Sequence, residues 1–281
     1  MTVLAAVLGG GTHTHFALRD GDHELARGRI ATEDPDRTLA ALLEALRPHG
    51  PSALGLATFG PVDLDPASPT YGCLRDTPKP GWGGAPFGPQ LARGLGGVPW
   101  AVDTDVNAAA LAEAHAGGEH ALAYVTVGTG VGVGWVRAGE TLRTPDHPEA
   151  GHLPGDPEDP FEGVCPFHGD CIEGLIAGPA LKARAGVDPA TLSDDDPVWD
   201  WVARHLGRLV HAIQLLTPVE RLVLGGGIPE ARTFLAARVE AAAGALGGSY
   251  RSLAPGLVAP PRLERPGLEG AFRLAKSAQK R

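Results

Sequence analysis

Apolar residues follow two rhythms along this chain. Short apolar runs that stop at glycine or at a polar turn predict buried strands at 3–8, 53–59, 98–102, 121–127 and 221–224. Residues 14–19 and 24–31 predict two more strands, joined by the hairpin-type turn Asp20-Gly21-Asp22, and 133–137 predicts a strand returning from the turn at 128–132. The second rhythm is helical. Leu39, Leu42, Leu43 and Leu46 share one face behind Asp34, a candidate cap, and Pro35, a first-turn residue. Helices are also expected at 108–116, 179–186, 196–216, 229–246 and 267–280.

Three strands in hairpin order, a helix, then strands alternating with helices is an α/β pattern. The logic restarts near residue 121, where another strand ends in a glycine turn containing Thr. The chain thus reads as a short internal duplication.

The stretch from Glu149 to Glu173 follows neither rhythm. It holds two of the three cysteines, Cys165 and Cys171, with His168 between them and His152 upstream. Two thiolates and two imidazoles suit tetrahedral zinc. With all four positions filled by protein, the metal would be structural, tying down a loop with little apolar content. A Cys165–Cys171 disulfide or two idle thiols are the other readings of the same residues.

Composition narrows the function. The 281 residues are 43% hydrophobic and 20% charged, enough for two domains with sizeable cores. A net charge of -9 argues against nucleic acid or an anionic membrane as partner. So few cysteines make no disulfide framework, which fits a reducing cytoplasm. The first residues carry no basic segment of a signal peptide. No apolar run approaches the ~20 residues of a membrane helix. The 40 Gly and 26 Pro are dispersed, as tight turns require.

Three glycine turns follow apolar strands: Gly9-Gly10-Gly11-Thr12, the turn at 128–132, and Gly225-Gly226-Gly227. Glycine lets backbone approach a phosphate and offers unobstructed N–H donors. One such turn is commonplace, whereas three at strand ends point to a nucleotide cleft. No G-x-G-x-x-G or G-x4-G-K-[ST] motif is present. Asp105 lies where a strand hands over to a helix, a usual place for a catalytic carboxylate in open α/β sheets. It reads equally as a helix N-cap. Glu149 and Glu173 flank the metal stretch and read either as ligands of polyol hydroxyls or as solvated acids.

Taken in order, the motifs form a set: G-G-T at 10–12, F-G-P-V-D at 59–63, T-P-K-P-G-W at 77–82, T-D-V-N-A-A-A-L-A-E at 104–113, V-G-T-G-V-G at 127–132, H-P-E-A-G-H at 147–152, C-P-F-H-G-D-C-I-E-G-L at 165–175, A-G-P-A at 177–180, L-G-G-G at 224–227 and P-P-R-L at 260–263. With these the chain resembles, over nearly its whole length, the ROK (repressor, open reading frame, kinase) family of sugar kinases and its bacterial fructokinase branch.

The resemblance implies an actin-like, ribonuclease-H-like two-domain fold with an inserted zinc-binding loop. Residues 1–118 and the helix at 265–281 would form one domain. Residues 119–264, with the zinc loop at 145–175, would form the other. It implies transfer of the γ-phosphate of ATP, carried with Mg²⁺, to fructose. Asp105 would be the general base, and Thr104, Asn107, Glu149, His152 and Glu173 would hold the sugar. Gly10, Gly11, Thr12, Gly128, Thr129, Gly130, Pro179, Gly225, Gly226 and Gly227 would hold ATP. His152, Cys165, His168 and Cys171 would hold zinc. A cytoplasmic homodimer is the family habit.

Two positions depart from the family. An acid usually stands where this chain has Leu8, and Lys where it has His13, which bears on metal–phosphate handling. The small-residue turn expected near the end is Glu264-Arg265-Pro266-Gly267-Leu268-Glu269-Gly270 here, which bears on packing beside the adenosine. The same resemblance leaves open a kinase for another hexose (mannose, glucose or N-acetylmannosamine) and a weakly active or non-catalytic sugar-binding protein. A repressor would carry a helix-turn-helix domain ahead of the first strand, which here starts at residue 3.

Overall fold

The computed structural model describes residues 2–77, 79–143, 147–250 and 252–280. In chain order the elements are β1 (Val3–Gly9), β2 (His13–Asp20), β3 (His23–Ala31), α1 (Pro35–Leu46), β4 (Ala53–Thr58), α2 (Phe87–Gly94), β5 (Trp100–Thr104), α3 (Asp105–Gly117), β6 (Ala121–Val127), β7 (Val131–Arg137) and β8 (Glu140–Thr141). Then follow α4 (Ile172–Ile176), α5 (Gly178–Ala185), α6 (Val198–Leu216), β9 (Arg221–Gly225), α7 (Gly227–Ala231), α8 (Leu235–Gly247), β10 (Val258–Ala259) and α9 (Pro266–Ala278). Two compact units result: Met1–Ala112 with Glu140–Pro148 and Leu263–Arg281, and Glu113–Gly139 with Glu149–Arg262.

The first unit is built on a mixed sheet ordered β3-β2-β1-β4-β5, with β1, β4 and β5 parallel. Side chains alternate across it as strand geometry demands. Ala5, Val7, Leu54 and Leu56 point to one face, where Leu42 and Leu46 of α1, Trp82, and Phe87 and Leu91 of α2 cover them. Ala6, Ala17, Ala57 and Ala101 point to the other, against Leu268, Ala271, Phe272 and Leu274 of α9. That second face is lined with small residues because the helix lies almost on the backbone. A Cβ at Gly55 would stand 1.8 Å from Ala271 O, and one at Gly270 would stand 1.9 Å from Ala108 O.

The second sheet, whose strands β6, β7, β9 and β10 belong to the second unit, repeats the wiring in the order β10-β9-β6-β7-β8, again with β6 antiparallel to its successor and parallel to β9. Its core is bulkier. Val125, Val127, Val133 and Trp135 pack with Ile172, Leu175, Trp199, Val202, Leu206 and Val239. No helix among the described residues is long and apolar enough to cross a membrane.

Asp34 caps α1, its carboxylate accepting from Arg37 N at 3.0 Å, with Pro35 in the first turn. The helix expected at 229–246 is two helices, α7 and α8. The chain breaks at Arg232, whose φ of -133° leaves the helical region and whose guanidinium donates to Leu192 O at 2.8 Å. The strand expected at 98–102 runs two residues later. Two short helices, α2 and α4, have no apolar periodicity long enough to announce them.

Candidate active site and metal centre

Strand β5 ends in Asp103-Thr104-Asp105, and its two carboxylates have opposite surroundings. Asp103 is fully buried and fully partnered. One oxygen accepts from Thr104 N and Asn107 Nδ2, both at 2.8 Å. The other accepts from Thr141 Oγ1 at 2.7 Å and from Arg143 Nε and Nη2 at 3.0 and 2.9 Å. Asp105 accepts from Val106 N at 2.9 Å and from its own N–H, and among the described residues no side chain of opposite charge offsets its burial. Burial is the dominant influence and pushes its pKa up to about 6 from 3.8.

The capping role that Asp105 might have filled belongs to Thr104, whose hydroxyl accepts from Asn107 N at 3.2 Å. Thr104 and Asn107 are thus both buried, with their polar atoms engaged at the head of α3.

The first glycine turn joins β1 to β2 in the same unit. Leu8 continues the apolar run onto the α9 face, where its side chain covers Gly267: a Cβ there would lie 2.9 Å from Leu8 Cδ1. The segment 264–270 opens α9 against Leu8 and Ala108. Apart from it, the second unit holds a large cavity.

That cavity, of about 530 Å³, lies among α5, α6 and α7. Gly128, Thr129, Gly178, Pro179 and Gly227 are in its wall, so the second and third glycine turns share one hollow. The turns are clamped. Gly178 N donates to Gly128 O at 2.7 Å, and Gly226, at φ 92°, is pressed so close to Val127 that a Cβ would sit 2.6 Å from its carbonyl oxygen. Arg232 and Trp199 complete the wall, the guanidinium 5.1 Å above the indole. Sequence reasoning missed both, and only their aromatic and cationic character could have singled them out.

The four metal candidates converge. His152 Nδ1, Cys165 Sγ, His168 Nδ1 and Cys171 Sγ all lie within 4.8 Å of one another. The nitrogens are 3.3 Å apart, and the nitrogen–sulfur distances are 3.4, 3.7 and 3.8 Å. Donors held tetrahedrally at zinc's usual ~2.0–2.3 Å would lie about 3.3–3.8 Å apart, and the four pairs given above fall in that range. All three cysteines are free thiols, which removes the disulfide reading. The expected loop at 145–175 begins at residues 145 and 146, which lie outside the described residues, as does Pro78 of the 77–82 motif.

One ligand also organises the acids. Cys171 caps α4, its sulfur accepting from Gly174 N at 3.4 Å. Two residues on, Glu173 turns back to accept from Val131 N at 2.9 Å, and its other oxygen is 3.9 Å from His152 Nε2. His152 therefore gives Nδ1 to the ligand cluster and leaves Nε2 beside Glu173. Glu149 is exposed at the head of the turn that carries His152. The tightness of this turn comes from Gly151, where a Cβ would fall 1.9 Å from Val131 O.

A fold of two like-wired α/β units, with glycine turns at strand ends and a Cys/His loop, defines a class that comparison identifies. The ROK family pattern matches residues 4–278. A fructokinase of Lactococcus lactis subsp. cremoris is 37% identical over 225 residues, covering 79% of this chain and 77% of that protein. A fructokinase of Zymomonas mobilis subsp. mobilis is 36% identical over 298 residues, covering 99% and 97%. The crystal structure of a ROK hexokinase from Thermus thermophilus superposes with a TM-score of 0.81 at 30% identity, covering 99% of each chain. The chain belongs to the ROK family, and it is a sugar kinase.

Proposed function

We propose that the chain transfers the γ-phosphoryl group of ATP to fructose, giving fructose 6-phosphate and ADP. In this reading the Asp105 carboxylate takes the proton of the 6-hydroxyl as its oxygen bonds to the γ-phosphorus. The bond from that phosphorus to the β–γ bridging oxygen breaks, and ADP leaves. The observation that carries it is the contrast at the end of β5: a carboxylate of pKa about 6, near the value a base needs at neutral pH, beside one whose charge is fully compensated.

Glu149, Glu173 and His152 Nε2 would hold sugar hydroxyls. Gly10, Gly11 and Thr12 would meet the phosphates. Gly128, Thr129, Gly130, Pro179 and Gly225 to Gly227 would hold the rest of the nucleotide. Zinc on His152, Cys165, His168 and Cys171 would have no open position, and its contribution would be to fix the loop that carries Glu173. Mg²⁺ would arrive with ATP. Fructose is favoured by the fructokinases among the relatives. Leu8 favours a second reading, a weak or non-catalytic sugar-binding protein, because it offers no oxygen to a hydrated Mg²⁺.

A coupled assay with fructose, glucose, mannose and N-acetylmannosamine tests both. The expected result is the highest kcat/KM for fructose, falling as pH drops through about 6 as Asp105 protonates. Asp105→Asn is expected to lower kcat on the order of 10²–10⁴-fold while leaving fructose binding within a few-fold. Turnover of Asp105→Asn near wild type would remove the base assignment. Phosphorylation of none of the four sugars would favour the non-catalytic reading.

A further inference from the structure

The carbonyl oxygens of the first glycine turn are all spoken for. Gly10 O accepts the Thr32 hydroxyl at 2.8 Å, Thr12 O accepts Thr32 N at 2.9 Å, and His13 O accepts Gly10 N at 3.1 Å. Gly11 O accepts the Lys79 ammonium at 2.7 Å. What the turn presents outward is therefore donors. The N–H groups of Gly11 and Thr12 have no partner among the described residues, and both residues are exposed. A run of bare amides with every neighbouring carbonyl capped is an anion-binding arrangement.

Lys79 is fixed at that turn by more than one contact. Its ammonium also donates to Thr32 O at 3.0 Å, which uses two of its three N–H groups. The loop that carries it is anchored by Trp82, buried edge-on between Phe59 and Phe87 at 5.1 and 5.0 Å, with Nε1 donating to Glu33 O at 2.8 Å. No carboxylate pairs with Lys79 among the described residues. An uncompensated cation thus stands at the edge of the donor row.

We infer that Lys79 supplies the fixed positive charge of the phosphate turn, its third N–H joining the amides of Gly11 and Thr12 on the terminal phosphates of the nucleotide. This rests on the proposed function only in taking that turn as the ATP end of the site. It makes the loop that carries Lys79 and Trp82 part of the binding machinery.

Three variants test it: Lys79→Met, which keeps the stem and loses the donors; Lys79→Arg; and Lys79→Met combined with His13→Lys. Steady-state kinetics in ATP, fructose titrations without nucleotide, and titrations with inorganic tripolyphosphate are measured for each. One charge-assisted hydrogen bond sets the expected scale, a loss of about 10–100-fold in kcat/KM for ATP and in tripolyphosphate affinity for Lys79→Met. Fructose affinity should stay within a few-fold. Lys79→Arg should retain most of the wild-type values, and His13→Lys should restore much of what Lys79→Met loses.

A Lys79→Met protein that binds tripolyphosphate like wild type overturns the inference. So does one whose fructose and ATP constants fall together with its Tm and are not rescued by His13→Lys, since that is the behaviour of a structural clamp. Tripolyphosphate binding needs no turnover. A wild type that phosphorylates no hexose would therefore defeat the proposed function while the titrations still decide the role of Lys79.

Discussion

In each sheet the opening strand pairs antiparallel with the next and parallel with later ones, and the orders β3-β2-β1-β4-β5 and β8-β7-β6-β9-β10 are the same wiring. What differs is the side chains placed on it. The first unit ends β5 in Asp103-Thr104-Asp105, whereas the second ends β10 at Ala259 before Pro260-Pro261 and offers no acid there. The second unit instead opens two glycine turns onto one cavity and carries the Cys/His loop, for which the first has no counterpart among its described residues. Strand ends are where open α/β sheets carry their chemistry, and here the duplicated frame holds a pair of carboxylates in one copy and a cavity in the other.

The helix faces differ as well, and that difference is the easiest to break. In the first unit α9 lies on alanine and glycine. Gly55→Val would drive a side chain into Ala271 O, a backbone atom with nowhere to go, and should cost more than ~4 kcal/mol. The expected outcome is insoluble protein or a fall in Tm of ten degrees or more. In the second unit Gly207→Ala meets the Ala242 methyl at 2.7 Å and the α8 backbone at Ala243 N (3.0 Å) and Ala242 C (3.1 Å), so α6 and α8 must part by tenths of an ångström where α9 would have to give far more. Its Tm should drop by only a few degrees. Equal effects by calorimetry would mean that the two faces are packed alike.

The metal loop should give the next largest effect. Its middle is tied to α5 and α6 by Asp156 and Asp159, which pair with Arg204, Arg184 and His205, whereas its two ends meet at the Cys/His cluster and at the bridges of Pro154 to Cys171 and Cys165 to Gly169. Cys171→Ala removes one donor of the cluster and the side chain that caps α4, so the helix start that seats Glu173 against Val131 N is loosened. The expectation is one Zn²⁺ per wild-type chain, well below one in the variant, and a Tm lower by several degrees. Fructose affinity should fall more than nucleotide affinity. Wild type purified without chelator and carrying little zinc by elemental analysis would refute this.

These contrasts also mark what the sequence makes legible. Strands that alternate or run apolar, such as β1 and β6, and the capped helix α1 are fixed by local residues and can be read directly. The ligand set is legible because Cys-x2-His-x2-Cys places donors within reach whatever surrounds it. Asp103 is not. Its role comes from Thr141 and Arg143, some 40 residues away, and nothing in the D-T-D spacing says which carboxylate is compensated. The break between α7 and α8 is hidden for the same reason, being set by carbonyls near residue 190. Lys79 looks like an ordinary loop lysine until Gly11 O is seen beside it.

The smallest effect sharpens the contrast between the two carboxylates by reading stability in place of rate. The folded-state pKa of Asp105, about 6, lies above its ordinary 3.8, so the fold prefers the protonated form. The stability tied to this group is fully present below about pH 4 and is lost as pH rises through about 6, after which the buried charge is a constant burden. A rise from 3.8 to about 6 corresponds to on the order of 1–3 kcal/mol. Asp105→Asn carries no charge at any pH. It should therefore be more stable than wild type at pH 8, by a few degrees in Tm, with the gap closing as pH falls towards 4.5. Asp103→Asn should do the opposite. It leaves the Arg143 guanidinium without its counter-charge and should be less stable than wild type at pH 8. Thermal unfolding of the three proteins between pH 4.5 and 8 decides it. An Asp105→Asn protein no more stable than wild type at pH 8 would show that this carboxylate is not held against its own ionisation, and the contrast drawn at the end of β5 would fall with it.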